Sequence, residues 1–84
     1  MMTKKIDYSL KFYKGQMTNT NQENYNFYLA GRTYNEAHSF LENYVNNHSS
    51  RYHIIPGEND IEDITLTEVT SESYGREYGY EIIN

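Results

Sequence analysis

Histidines are the residues of this 84-residue chain best suited to bind a metal or to transfer a proton. His38 and Glu42 are four residues apart, so a helix would place them on one face, where they could offer two ligands. His48 and His53 follow without a repeated spacing, and the chain has no cysteine to complete a ligand set. The sequence therefore predicts no metal and no cofactor, and we expect His38 and Glu42 to form a helix-surface pair.

Catalytic motifs are not recognisable in the sequence. No serine stands in the G-x-S-x-G pattern of a strand–turn–helix elbow, and the glycines do not form a phosphate-binding loop. Carboxylates are abundant, but abundance does not identify the paired acids of a hydrolase. A chain this short also has little room for a core and a deep cleft together. We therefore expect a protein that is not an enzyme.

Charge is distributed unevenly along the chain, whose 12 acids and 7 bases give a net charge of -5. Residues 1–14 hold four lysines and one aspartate, whereas residues 52–84 hold eight carboxylates and only Arg76. An acidic surface built from this last third would steer a basic protein towards it. The alternative is that these carboxylates only keep the surface solvated and protect the edges of a sheet.

Ten tyrosines are more than a core of this size is expected to hold. Three of them fall on apolar faces and are predicted to be in the core with the hydroxyl at its rim: Tyr8, Tyr25 and Tyr44. Six are predicted to be at least partly exposed: Tyr13, Tyr28, Tyr34, Tyr74, Tyr78 and Tyr80. Exposed tyrosines suit protein interfaces, and beside basic residues they also suit base stacking.

Alternating apolar residues predict strands over residues 6–13 and 25–30, with a polar hairpin loop over residues 14–24. Thr33 and Glu36 then fit a capping box, in which the threonine hydroxyl accepts from the Glu36 amide and the Glu36 carboxylate reaches back to Thr33. An apolar stripe at helical spacing follows at Ala37, Phe40, Leu41, Tyr44 and Val45. This stripe predicts an amphipathic helix with one buried face.

The C-terminal half is predicted to add three strands, over residues 51–55, 63–70 and 77–83. Residues 58–63 read as an acidic loop and residues 71–76 as a turn. The expected order is β-β-α-β-β-β. The fold class is therefore α+β, a single domain over residues 1–84 with one helix packed on a mainly antiparallel sheet.

No apolar run follows the lysines near the N-terminus, and none reaches the ~18 residues that span a bilayer, so a cytoplasmic protein is expected. The chain is short, lacks cysteine, is acidic, and combines one helix and a small sheet with tyrosine, asparagine and glutamate predicted at the surface. In these features it resembles small bacteriophage-encoded accessory proteins, including anti-restriction and anti-CRISPR inhibitors. The resemblance implies an inhibitor that occupies the basic nucleic-acid channel of a host defence protein.

These observations predict a protein-binding module that docks on a basic host protein or protein–nucleic-acid complex. The residues expected to form its surface are Glu58, Asp60, Glu62, Asp63, Tyr74, Glu77, Tyr78 and Tyr80. The alternative is a nucleic-acid-binding regulator that uses the basic N-terminal strand, with Lys4, Lys5, Lys11, Tyr13 and Lys14. A homodimer that pairs through the edge strand around residues 78–83 is a further possibility.

Overall fold

A computed structural model describes residues 9–56 and 59–84 and shows one α-helix packed on a four-stranded sheet. The α+β class is confirmed. The elements in chain order are β1 Lys11–Asn19, β2 Asn24–Gly31, α1 Tyr34–Asn47, a 3-10 helix Ser49–Tyr52, β3 Ile61–Val69 and β4 Glu81–Ile82.

The sheet has the strand order β3-β1-β2-β4. Central β1 pairs antiparallel with both β2 and β3, whereas β4 runs parallel to β2 over only two residues. The described sheet therefore has one long edge, formed by β3, and one short edge, formed by β4. The prediction of a long last strand over residues 77–83 is wrong, and so the proposed dimer edge at residues 78–83 is reduced to Glu81–Ile82.

The first strand is displaced from its predicted position. Residues 14–19 belong to β1, so the predicted loop over residues 14–24 is wrong, and residues 1–8 lie outside the described part of the chain. Gly15 explains why a polar-looking segment can be a central strand. A Cβ there would lie 2.9 Å from a methyl carbon of Leu66 and 3.0 Å from one of Leu41. A side chain at this position would force these leucine methyls to move, so glycine lets Leu41 of the helix and Leu66 of β3 pack closely over β1.

As a result, the face of β1 that is buried is the opposite of the one predicted. Tyr13, Met17 and Asn19 are buried on the face that carries the helix, while Leu10 is exposed. The prediction that Tyr13 is exposed is wrong, since its side chain is 3% exposed. The side chains that alternate with these along β1 point to the opposite face of the sheet, which we call the outer face. They are Phe12, Lys14, Gln16 and Thr18.

Helix α1 forms as its apolar stripe predicts. Thr33 caps it by accepting a hydrogen bond from the Glu36 amide at 3.0 Å. The Glu36 carboxylate accepts from the Arg32 amide at 2.7 Å instead of reaching Thr33, which corrects the second half of the predicted box. The buried helix residues Ala37, Leu41 and Val45 belong to a core with Tyr13, Met17, Phe27, Leu29, Tyr52, Ile54 and Ile83.

Residues 51–55 do not form the predicted strand. The chain instead makes a 3-10 helix that buries Tyr52, and His53 ends it in the left-handed region with φ 55°. Strand β3 begins at Ile61, so the predicted acidic loop over residues 58–63 is partly strand, and Gly57 and Glu58 lie outside the described residues. Residues 70–80, which we call the C-terminal segment, turn back over the outer face of the sheet.

Candidate functional site

The residues predicted to bind a partner lie in two separate groups. Asp60, Glu62 and Asp63 are at the start of β3, whereas Tyr74, Glu77, Tyr78 and Tyr80 belong to the C-terminal segment. Glu58 lies outside the described residues. Asp63 faces Thr18, which is four residues along β1 from Lys14, the partner of Glu77. Four residues of strand span roughly 13 Å, so the predicted residues do not form one compact patch.

The first group is part of a longer run of carboxylates along β3. Residues 59–73 include five acids and no lysine, arginine or histidine. We call these five residues the acidic edge: Asp60, Glu62, Asp63, Glu68 and Glu72. Among the described residues none of the five is in an ion pair; Asp60 accepts from the Ile55 amide at 2.8 Å and Glu62 from Gln22 Nε2 at 2.8 Å. Their charge therefore faces solvent.

Two members of the acidic edge, Glu68 and Glu72, were not among the predicted site residues. Both were counted in the acidic last third of the sequence, but nothing in their spacing placed them beside Asp63. The antiparallel pairing of β3 with β1 places Glu68 there, since it extends the strand from Ile61 to Val69 along the same edge. Glu72 lies in the turn that follows the strand.

Two of the tyrosines in the C-terminal segment are half-buried against the outer face. The rings of Tyr74 and Tyr80 lie 5.3 and 4.8 Å from the ring of Tyr28, which is itself 1% exposed. The prediction that Tyr28 is exposed is therefore wrong. Burial also raises the pKa of the Tyr74 hydroxyl. Of the three tyrosines predicted to contact a partner, only Tyr78 is fully exposed, and Phe12 covers Tyr74 at 4.8 Å.

Lys14 connects the sheet to the C-terminal segment. Its ammonium group forms an ion pair with Glu77 and lies 5.3 Å from the centre of the Tyr80 ring. The hydrogen bond to Glu77 is the main reason why the pKa of Lys14 is raised. Glu77 is thus neutralised within the molecule, and it contributes less to an acidic surface than the sequence predicted.

A cleft of about 650 Å³ lies between the C-terminal segment and the sheet. Its described lining includes the bases Lys14 and Arg76 and the acids Glu72 and Glu77, so the charges cancel. The described residues hold no cluster of three or more histidine, cysteine, aspartate or glutamate side chains that could bind a metal ion. The two basic and two acidic side chains of this cleft therefore give it no net charge.

The residues of the alternative nucleic-acid site are also dispersed. Lys4 and Lys5 lie outside the described residues, and Lys11 is exposed at the start of β1. Lys14 is paired with Glu77 on the outer face, whereas Tyr13 is buried beneath the helix. Burial raises the pKa of Tyr13 and removes its ring from any stacking surface.

A hydrogen-bonded cluster around Glu81 attaches β4 to the helical side of the fold. The Glu81 carboxylate accepts from Tyr52 Oη at 2.7 Å, from Tyr44 Oη at 2.8 Å and from Arg51 Nη1 at 2.9 Å. Burial, and then the bond to Glu81, raise the pKa of Tyr52 well above its usual range. Its hydroxyl therefore stays protonated and donates to Glu81, and the cluster holds β4 against the helical side of the fold.

A second cluster joins the β1–β2 hairpin to the residue that ends the 3-10 helix. The Glu23 carboxylate accepts from Asn19 Nδ2 at 2.8 Å, and its Oε1 lies 2.9 Å from His53 Nδ1. The bond from Asn19, followed by that from His53, holds the pKa of Glu23 below its ordinary value of 4.5. The ionised form of Glu23 therefore stabilises the folded chain.

A Glu23→Gln variant is expected to lose the acid dependence that this carboxylate contributes. Because the folded pKa is lowered, the stabilisation is present above the unfolded value of 4.5 and is lost as the pH falls through the folded value. The wild type should therefore exceed the variant in Tm at pH 7 by more than at pH 3. Thermal unfolding at several pH values between 3 and 7 measures this difference, and parallel curves for the two proteins would contradict it.

Comparisons with protein-family models, with curated proteins and with solved structures found no match to this chain. Within residues 9–56 and 59–84, no helix is long and apolar enough to cross a membrane.

Proposed function

We propose that this protein is a non-enzymatic binding module that docks its acidic edge on a basic partner protein. The observation that carries this proposal is the run of five carboxylates over residues 59–73, which no basic residue interrupts and no described cation pairs with. Uncompensated charge of one sign raises the association rate of an oppositely charged partner and orients it.

The partner class follows from the same charge. Proteins that bind nucleic acid carry basic channels, because phosphate neutralisation dominates their affinity. A small acidic domain can occupy such a channel. Together with the resemblance to bacteriophage-encoded inhibitors, this supports an inhibitor of a host nucleic-acid-handling or defence protein, acting in the host cytoplasm. Direct binding of nucleic acid has weaker support, since Lys11 alone among the described members of that predicted site is exposed and unpaired.

Neutralising the acidic edge is expected to weaken capture of basic proteins. A tagged Asp63→Asn/Glu68→Gln variant should retain about tenfold less basic protein than wild type from a nuclease-treated bacterial lysate, if each exposed charge contributes about 0.7 kcal/mol. The measurement is quantitative mass spectrometry of the captured proteins over a series of salt concentrations.

The matched control for this experiment is Glu36→Gln/Glu42→Gln, which changes the net charge equally but lies on the exposed helix. Glutamine at position 36 can still accept the hydrogen bond from the Arg32 amide. If capture and its salt dependence are the same for the edge variant, the control variant and wild type, the proposal is wrong.

A further inference from the structure

Strand β3 leaves one side of its backbone without a partner among the described residues. The Asn19 amide donates to the Glu23 carbonyl at 3.0 Å, so the odd-numbered residues of β1 direct their backbone groups towards β2. The even-numbered residues direct theirs towards β3, and their partners there are Asp63, Thr65, Thr67 and Val69.

The residues between those partners therefore direct their amide and carbonyl groups away from the sheet. They are Ile64, Leu66 and Glu68. A register shift near Thr18 interrupts the pairing at the start of β3, but the strand is regular from Asp63 to Val69. Seven residues of regular strand make an edge roughly 23 Å long. An edge of this length is a template for another strand.

The side chains beside this edge differ between the two faces of the sheet. On the helix face, Ile64 and Leu66 are half-buried against the core and Glu68 is exposed. On the outer face, Asp63, Thr65 and Thr67 are all exposed. An added strand would find apolar contacts beside Ile64 and Leu66, and carboxylates at both ends of the regular edge.

We propose that β3 binds an extended basic segment of the partner as a fifth, antiparallel strand; this inference rests on the proposed function. Main-chain hydrogen bonds to Ile64, Leu66 and Glu68 supply affinity, and alternate side chains supply specificity. The segment recognised has β-branched apolar residues opposite Ile64 and Leu66. It has lysine or arginine opposite Asp63 and Glu68.

The probe is the capped heptapeptide Lys-Thr-Val-Thr-Val-Lys-Lys, whose order places a lysine opposite Glu68 and valines opposite Leu66 and Ile64. At saturating peptide, amide hydrogen exchange of Ile64, Leu66 and Glu68 should slow at least tenfold. Exchange at Thr65 and Thr67 should change by less than twofold, since those amides already pair with β1. Peptide binding without this alternating protection, or no binding at millimolar peptide, would overturn strand addition.

The matched variants are Glu68→Pro and Glu68→Gln, which remove the same charge. Only proline removes the outward amide, and proline is tolerated where a strand edge faces solvent. The proline variant should bind the peptide at least tenfold more weakly than the glutamine variant, with circular dichroism confirming that both are folded. Equal affinity of two folded variants would overturn strand addition. Equal, equally salt-dependent capture by the edge variant, the control variant and wild type in the lysate experiment would instead overturn the proposed function, so the two failures are distinguishable.

Discussion

An Asn19→Ala variant is expected to have a free energy of unfolding about 2–4 kcal/mol below that of wild type. The reason is that the buried side-chain amide of Asn19 forms hydrogen bonds with four other groups. Asn19 is 0% exposed. Its Nδ2 donates to Glu23 Oε1 at 2.8 Å and to the Tyr52 carbonyl at 3.0 Å, and its Oδ1 accepts from the Asn21 and Glu23 amides at 3.0 Å each. Alanine would leave the Tyr52 carbonyl and two turn amides without these partners.

Chemical denaturation of wild type and Asn19→Ala measures this loss of stability. An Asn19→Asp variant separates the hydrogen bonds that the side chain accepts from those that it donates. Aspartate keeps the acceptor for the turn amides but removes both donors and places a second carboxylate beside Glu23. The aspartate variant should therefore lie between wild type and alanine above pH 5, and it should recover stability as acid protonates the pair. A loss of less than 1 kcal/mol for Asn19→Ala would show that the hairpin and the 3-10 helix do not depend on this side chain.

Replacing Tyr28 by alanine is expected to cost about 3–5 kcal/mol and to release the C-terminal segment, since a buried aromatic side chain is removed. The Tyr28 ring contacts Tyr74 and Tyr80, and its hydroxyl accepts from the Glu77 amide at 3.3 Å. Without it, residues 70–80 keep the contacts of Lys14 with Glu77 and the Tyr80 ring and the contact of Phe12 with Tyr74. These contacts alone hold a turn-rich segment weakly.

Tyr28→Phe is the matched control, because it keeps the ring and removes only the hydroxyl. It should cost about 0.5–1.5 kcal/mol, the usual contribution of one hydrogen bond. Denaturant unfolding measures the stability, and limited proteolysis at Arg76 measures the release of the segment. If Tyr28→Ala and Tyr28→Phe were equally stable and equally resistant at Arg76, the ring would not be the anchor of this segment.

Local signals predicted the helix well. The Thr33 cap and the apolar spacing from Ala37 to Val45 both follow from interactions within a few residues. Strand β2 was predicted within about one residue at each end for the same reason, since its alternation is continuous. The acidic character of the last third of the chain is likewise a property of composition alone.

The positions of β1 and β4 could not be predicted in this way. Alternation at residues 6–13 indicated a strand, but the register that buries Tyr13 and Met17 is set by the pairing of β1 with β2 and β3. Residues 77–83 alternate as a strand would, yet only Glu81–Ile82 pair as one. Before them, the Tyr80 ring packs on Tyr28 and the Glu77 amide donates to the Tyr28 hydroxyl.

The candidate surface, like the fold, was predicted from the sequence only in part. By itself the sequence determined the fold class, the helix, and a surplus of carboxylates with no cysteine. Only the tertiary structure decided that Glu77 is neutralised by Lys14, that Tyr28 is an internal anchor, and that Glu68 joins Asp63 on an unpaired edge. The physical reason is range: capping and periodicity act over a few residues, whereas strand register and ion pairing join residues that are distant in the chain.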